Sequence, residues 1–249
     1  MRNRRMTATV IAVVVLGLLL GTGFAFAGGQ GESKGGKAYT MVSIPKLRAT
    51  WFDRLEVGLK KAGEQFGINV SQQAPAAADE AQQVRLIEDA INQGNNAILV
   101  VPNDAKSIEP AFERAQGKKI VTITHESPNQ KFANWDIEMI DNVAFGQKAF
   151  EVLVKDMGTT DGEFVIFVGS LTVPAHNIWA DASLALAKQK YPNLKQVADR
   201  YPVGEDQNAA RQAALDILTA HPNLKGFLCY GSQGAPGAAQ ALREKGLVG

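Results

Sequence analysis

The sequence contains one cysteine, Cys229, among its 249 residues. A lone thiol cannot close an internal disulfide, and its place inside an apolar run reads as packing. An excess of either charge is also lacking: 26 basic residues face 25 acidic ones, a formal net charge of +1. That balance builds no broad field to attract nucleic acid or an anionic membrane, so no nucleic-acid partner is expected. There is no heptad run and no polar low-complexity tract. Catalytic signatures are missing as well: no G-x-S-x-G elbow, no H-E-x-x-H pair and no Walker loop. No G-x-G-x-x-G follows the first strand pattern, which argues against a dinucleotide. No cofactor or metal is expected.

What is present starts at the N-terminus. Arg2, Arg4 and Arg5 precede an apolar stretch from Val10 to Leu20, and small residues then lead to Ala25-Phe26-Ala27. A basic start, an apolar core and an A-x-A site describe a signal peptide over residues 1–27, cut after Ala27. The core is short for a membrane span, which needs roughly 20 apolar residues. No cysteine adjoins the cleavage site, so export without a lipid anchor, to a periplasm, is the expectation. Residues 28–38, rich in Gly and charge, read as a flexible linker.

The remainder, 45% hydrophobic and 20% charged over the whole chain, alternates strand and helix patterns. Strands are expected at Tyr39–Ile44, Ile68–Ser71, Ala97–Val101, Lys119–Thr124 and Trp135–Ile140. Helices are expected at Thr50–Phe66, where Trp51, Leu55, Leu59 and Ala62 recur at helical spacing, at Asp79–Gln93 and at Ser107–Gln116. Strands recur about every 25–30 residues, as right-handed βαβ units require. The pattern restarts after Asp141-Asn142. Helices are then expected at Phe145–Met157, Ala175–Lys190, Asp206–Ala220 and Ala235–Lys245, with strands at Phe164–Val168, Gln196–Arg200 and Gly226–Tyr230. The fold class is therefore α/β with parallel sheets in two lobes, 39–141 and 142–249. The second lobe holds about three strands, fewer than the typical 5–6, so it is expected to be incomplete.

Certain segments resemble a known family. Ile44-Pro45-Lys46-Leu47 resembles the autoinducer-2 and rhamnose type of periplasmic binding protein. Ile140-Asp141-Asn142-Val143 with Gly146 is similar to the hinge of ribose-type binding proteins, and Ile217–Gly226 and Val168-Gly169-Ser170 match their second lobe. The likeness runs from Tyr39 to Leu247. It implies the type I periplasmic binding fold: two Rossmann-like lobes, a hinge near Asp141 and Asn142, a ligand cleft, and a full protein longer than this chain. In this resemblance Lys46 falls on the family's loop lysine, Thr124 on an aspartate, Ala175-His176 on an Asp-Gln pair, and Tyr230 and Ser232 on a Pro and an Ala.

Independently of the family, ligands of open α/β sheets bind beyond the carboxyl ends of the strands. Those loops hold Lys46, Arg48, Trp51 and Phe52, then Asn103 and Asp104, then Thr124, His125 and Glu126. In the second lobe they hold His176, Asn177 and Trp179, then Tyr230, Ser232 and Gln233. Glu126 and Asp104 accept from hydroxyls, Lys46 donates, and Asn177 and Gln233 do both. The aromatic rings cover an apolar C–H face. The set suits a small sugar or sugar-like ligand. Individual residues also have structural readings. Asp104 and Asp206 are expected to cap helices, one of Trp51 and Phe52 to enter the core, and His221 to complement a helix C-terminus.

The expected function is that of an exported, non-catalytic solute-binding protein that closes about a hinge on a sugar-like ligand, autoinducer-2 among the candidates. Its expected partner is an ABC-importer permease in the inner membrane. Three alternatives stand beside it. The first is a ligand sensor for a chemoreceptor. The second is a carbohydrate-acting enzyme using His125-Glu126, opposed by the opposite facing of adjacent strand residues. The third is a sugar-responsive transcription regulator, opposed by an export signal where a helix-turn-helix would stand.

Overall fold

The computed structural model describes residues 38–247; the expected signal peptide and nearly all of the linker lie outside them. In chain order the elements are β1 (Tyr39–Ile44), α1 (Thr50–Phe66), β2 (Ile68–Gln72), α2 (Glu80–Asn92), β3 (Ala97–Val100), α3 (Glu109–Gly117), β4 (Val121–His125), β5 (Trp135–Ile137), α4 (Asn142–Met157), β6 (Gly162–Phe167), α5 (Pro174–Lys190), β7 (Leu194–Gln196), α6 (Gln207–Ala220), β8 (Leu224–Cys229) and α7 (Gly234–Glu244). The strands form two wholly parallel sheets, ordered β2-β1-β3-β4-β5 and β7-β6-β8. The α/β class with two parallel-sheet lobes is thus observed. Among the described residues the second sheet has three strands, and β8 forms one of its edges.

Alternation along the strands divides the core. Val42 and Ile44 of β1 join Ile98 and Val100 of β3 on one face, packed with Ile87 and Ile91 of α2 and with Ala111, Phe112 and Ala115 of α3. In the second lobe Phe164 and Ile166 of β6, with Val168 just beyond, meet Phe150 of α4 and Leu186 of α5. Val165 and Phe167 point the other way, onto Ala210, Ala214 and Ile217 of α6 and Ala238 and Ala241 of α7. A strand buried on both faces reads as a continuous apolar run, which is why FVIFV has no polar member. Helix ends follow local chemistry. Asp79, Asp141 and Asp206 each accept a hydrogen bond from the backbone N–H three residues on, and Gly67 and Gly158 end α1 and α4 in the left-handed conformation.

Boundaries differ from expectation where a cap or an edge intervenes. The Asp141 cap starts α4 at Asn142, three residues before the apolar pattern begins. The strand expected to reach Ile140 ends at Ile137, and Met139 and Ile140 are exposed. The strand expected at Gln196–Arg200 is instead β7 at Leu194–Gln196, because buried Leu194 docks in the lobe's core and registers with Gly162. Beyond it, the chain touches the sheet again through one bridge, Phe167 with Tyr201.

Close contact between α4 and α5 requires a glycine. A Cβ at Gly146 would collide with the Trp179 carbonyl and lie 2.9 Å from the Ala182 Cβ. Ser183 Oγ also donates to the Gly146 carbonyl at 2.8 Å. At Gly58 of α1 an added Cβ meets nothing within 4 Å. Gly146→Ala is therefore expected to cost about 1–3 kcal/mol. Gly58→Ala is expected to add ~0.5–1 kcal/mol, since mid-helix glycine carries an entropic penalty. Urea titrations of the two variants check the opposite signs.

Candidate functional site

The loops that leave the strand ends of both sheets line one cavity of about 280 Å³. From the first lobe come Lys46 after β1, Trp51 and Phe52 at the start of α1, and Glu126 after β4. From the second come Phe145 on α4, His176 and Trp179 on α5, Glu205 between β7 and α6, and Cys229 to Ser232 around the end of β8. Parallel strands bring these loops to one end because every strand in a lobe runs the same way.

At the centre is Lys46, 2% exposed. Its Nζ lies 3.2 Å from Glu205 Oε1, 3.0 Å from His176 Nε2 and 3.5 Å from Glu126 Oε2. Two of these partners belong to the opposite lobe, so the ammonium bridges the cleft. Thr172 adds a second bridge, donating to the Asn103 carbonyl at 3.2 Å. The Glu205 loop is held in place by backbone bonds. Gly204 N–H donates to the Val168 carbonyl at 2.7 Å, and the Gly204 carbonyl accepts from Gln233 and Gly234. A Cβ at Gly204 would collide with the Tyr230 carbonyl, so only glycine permits this approach. Glu205 Oε2 then accepts from Ser232 Oγ at 3.2 Å and from Ser232 N–H at 3.4 Å. Glu126 has φ of 60°, the left-handed region, which turns its carboxylate back into the cavity. Such a conformation costs a bulky residue about 1–3 kcal/mol and persists where its surroundings hold it.

Aromatic rings form the wall. Phe145 and Trp179 meet edge to face at 4.8 Å, Trp179 and Tyr230 lie 5.6 Å apart, and His176 stacks on Trp179 at 5.4 Å. Of the Trp51–Phe52 pair, Phe52 is the one in the core at 3% exposure, while Trp51 is 60% exposed at the rim. Trp179 is tied to the connection between the lobes. Its Nε1 donates to Asn142 Oδ1 at 2.5 Å, and Asn142 Nδ2 donates to Glu138 Oε2 at 2.7 Å. Burial pushes the Glu138 carboxyl above its ordinary range, with Asp136 adding to the shift against the lowering Asn142 bond. Asp141 caps α4 through Ala144 N–H.

Lys46, Trp51, Phe52, Glu126, His176, Trp179, Tyr230 and Ser232 therefore line the cavity, whereas Asp104, Thr124, His125, Asn177 and Gln233 do not. Asp104 caps the turn at Lys106 and Ser107. Thr124 is fully buried and donates to Asp136 Oδ1 at 2.7 Å. His125 Nδ1 donates to the Ile137 carbonyl at 2.6 Å. Asn177 donates to the Ser170 and Val173 carbonyls and accepts from Arg200. Gln233 precedes α7 and donates through its backbone to Gly204. The turn at Glu126 does bring its Oε1 within 3.8 Å of His125 Nε2. Among the described residues, however, no group of three or more such side chains could hold a metal ion. Sequence reasoning missed Glu205 and Phe145. The strand-end rule points to the loop before α6, but the cap at Asp206 drew attention away from its neighbour. Phe145 reads as one apolar residue in a helical stripe. Cys229 borders the cavity, and burial pushes its thiol up to about 12.

His176 is in electrostatic conflict. Burial, then the Lys46 charge, hold its pKa well below 6.5, so the ring is neutral. A neutral imidazole has one acceptor nitrogen. Here both nitrogens face donors: Gly169 N–H stands 2.9 Å from Nδ1, and the Lys46 ammonium 3.0 Å from Nε2. In either tautomer one donor goes unmatched. Burial likewise pushes the Tyr230 hydroxyl up to about 12, against a lowering bond with Ser183. The unfolded chain takes up a proton at His176 near pH 6.5, and the folded chain only well below it. Between the two the unfolded state binds the extra proton, so stability falls as the pH drops, by at most about 1.4 kcal/mol per unit. His176→Gln is expected to flatten that slope in denaturant titrations between about pH 7 and pH 5. An unchanged slope would show that the folded chain protonates His176 normally.

Known proteins are similar to this chain in sequence and in fold. The D-allose-binding periplasmic protein of Escherichia coli (strain K12) is 27% identical over 246 residues, covering 94% of this chain and 74% of the relative. The ribose import binding protein RbsB of Bacillus subtilis (strain 168) is 25% identical over 213 residues, covering 84% and 67%. Among solved structures, LsrB from Clostridium saccharobutylicum in complex with AI-2 superposes with a TM-score of 0.78 at 28% identity, covering 84% of this chain and 67% of that one. A solute binding protein from Clostridium phytofermentas with bound L-rhamnose superposes at 0.79 and 23% identity, a likeness of fold, covering 84% and 66%. The periplasmic binding protein domain model matches residues 40–249. That match spans most of the chain, and the chain belongs to the periplasmic binding protein family.

Proposed function

We propose that this chain captures a small sugar or sugar-like ligand between its lobes and presents it to the permease of an ABC importer, as a binding protein and not an enzyme. The observation that carries this reading is the Lys46 bridge. A cation from one lobe meets Glu205 and His176 of the other inside a cavity walled by aromatic rings. The names of the allose and ribose relatives support the ligand class. A cleaved signal peptide over 1–27 and delivery in the periplasm belong to the same proposal, as do the lobe limits 39–141 and 142–249.

The conflict at His176 suggests how a polyol drives closure. A ligand hydroxyl that displaces the direct 3.0 Å contact of Lys46 with His176 would accept from both the ammonium and Nε2–H, which leaves Nδ1 free to accept from Gly169. The ligand then forms bonds in the closed arrangement that the open one cannot offer, and this differential affinity shifts the population. The hinge would lie near Asp141 and Asn142.

Autoinducer-2 is the second reading, favoured by the likeness to LsrB and by the position of Lys46 in the cavity. Against it, His176, Tyr230 and Ser232 stand where the autoinducer-2 type carries other residues, and Thr124 lies outside the lining. A chemoreceptor partner would use the same closed form.

A panel of pentoses, hexoses, deoxysugars and autoinducer-2 is expected to contain a compound that raises the melting midpoint, as a ligand selective for the folded state must. A cooperative melt that no compound shifts would refute the ligand class. Trp51→Ala is expected to weaken that ligand by about ten-fold, some 1.4 kcal/mol. Because the ring is exposed at the rim, the unliganded stability should stay within ~0.5 kcal/mol. Calorimetric titration and urea melts of the one variant separate the two effects.

A further inference from the structure

The charged groups lining the cavity do not balance. Lys46 contributes one positive charge, Glu126 and Glu205 two negative, and His176 is neutral, which leaves one carboxylate in excess. Arg200, the cation beyond Tyr230, is already paired with Asp181. The two carboxylates are unequally served. Glu205 has Lys46 at 3.2 Å and two donors from Ser232. Glu126 has Lys46 at 3.5 Å and His125 at 3.8 Å, with no closer partner among the described residues. At 11% side-chain exposure this carboxylate keeps little contact with solvent beyond the cavity it lines.

Around this excess stands an aromatic wall: Trp51, Phe52, Phe145, Trp179 and Tyr230. Lys46 Nζ already sits 5.9 Å from the centroid of the Phe52 ring, so the cavity accepts an ammonium against a π face. A carboxylate held by one long ion pair beside aromatic faces is the chemistry that recognises a protonated amine.

We propose that the cleft selects an amine-bearing sugar or polyol, whose ammonium pairs with Glu126, over the neutral parent sugar and over the sugar acid. This rests on the carbohydrate reading above and narrows it. The ammonium adds a charge-assisted bond where a hydroxyl makes an ordinary one, and the aromatic rings add a second attraction. A ligand carboxylate would meet Glu126 and Glu205 as like charges and is disfavoured.

The test is calorimetric titration of the purified protein with D-glucosamine, D-glucose and D-glucuronate, and with D-galactosamine, D-galactose and D-galacturonate. At least one amino sugar is expected to bind about ten-fold more tightly than its parent, with the acid weakest. Glu126→Gln keeps the shape and removes the charge, so the ratio of amino sugar to parent is expected to collapse towards one. If Glu126→Gln does not fold, the wild type is titrated at a pH high enough to deprotonate the amine. The ratio should collapse there too, and comparison with the parent at the same pH cancels titration of the protein's own groups. Neutral sugars binding as tightly as their amines in every set would overturn this inference and leave the carbohydrate reading standing. A preference that survives both the variant and deprotonation would overturn the role of Glu126. No binding by any of the three classes would overturn this inference and leave the carbohydrate reading to the wider panel of pentoses, hexoses and deoxysugars.

Discussion

A buried ammonium has to find its counter-charge within a few ångströms, and Lys46 finds part of its own across the cleft. Removing that charge from water costs several kcal/mol, and only well-placed partners return it. Glu126 on the same lobe stands at 3.5 Å, while Glu205 and His176 on the other stand at 3.2 and 3.0 Å. The shortest contacts of the cation are therefore those that join the lobes. The rest of the site is arranged to make them available. Gly204 lets the Glu205 loop lie against the ends of β6 and β8, and the left-handed turn at Glu126 brings its carboxylate inward.

Polar and apolar parts of the cavity are supported from behind in different ways. The carboxylates are placed by backbone geometry in loops. The rings are placed by helix packing and by hydrogen bonds at their polar edges. Trp179 donates to Asn142, and Tyr230 meets Ser183, which in turn donates to the Gly146 carbonyl. Because Asn142 also reaches Glu138, ahead of α4, the ring that faces the cavity is linked by hydrogen bonds to the segment joining the two sheets. A rotation between the lobes would be felt at Trp179 by direct bonding.

Much of this fold was legible in one dimension. The apolar runs ILV and FVIFV, the helical stripes and the acidic cap at Asp206 are local signals, and the elements they mark formed close to their expected places. Two edge strands were less legible. At β5 and β7 only three residues pair, and whether they pair depends on a neighbour distant in sequence. The site was legible as a set of loops, because parallel strands force their ends together. Membership within a loop was not. Asp104, Thr124 and Asn177 are polar residues at strand ends that turned to their own backbone or to a neighbouring carboxylate.

The sequence by itself determined that the chain alternates strands and helices, that its sheets are parallel, and that Lys46 and Glu126 follow strands, and His176 opens a helix, at the carboxyl end of the sheets. Those are consequences of period, spacing and chain direction, which a linear code carries. Only the tertiary structure decided that Glu205 joins them, that Phe52 goes inward while Trp51 stays at the rim, and that two donors compete for the nitrogens of one imidazole. These outcomes depend on distances between residues some 80–160 positions apart and on which of two adjacent side chains a backbone turn directs into the cavity. No local pattern records such distances, because they are set by the packing of the two lobes.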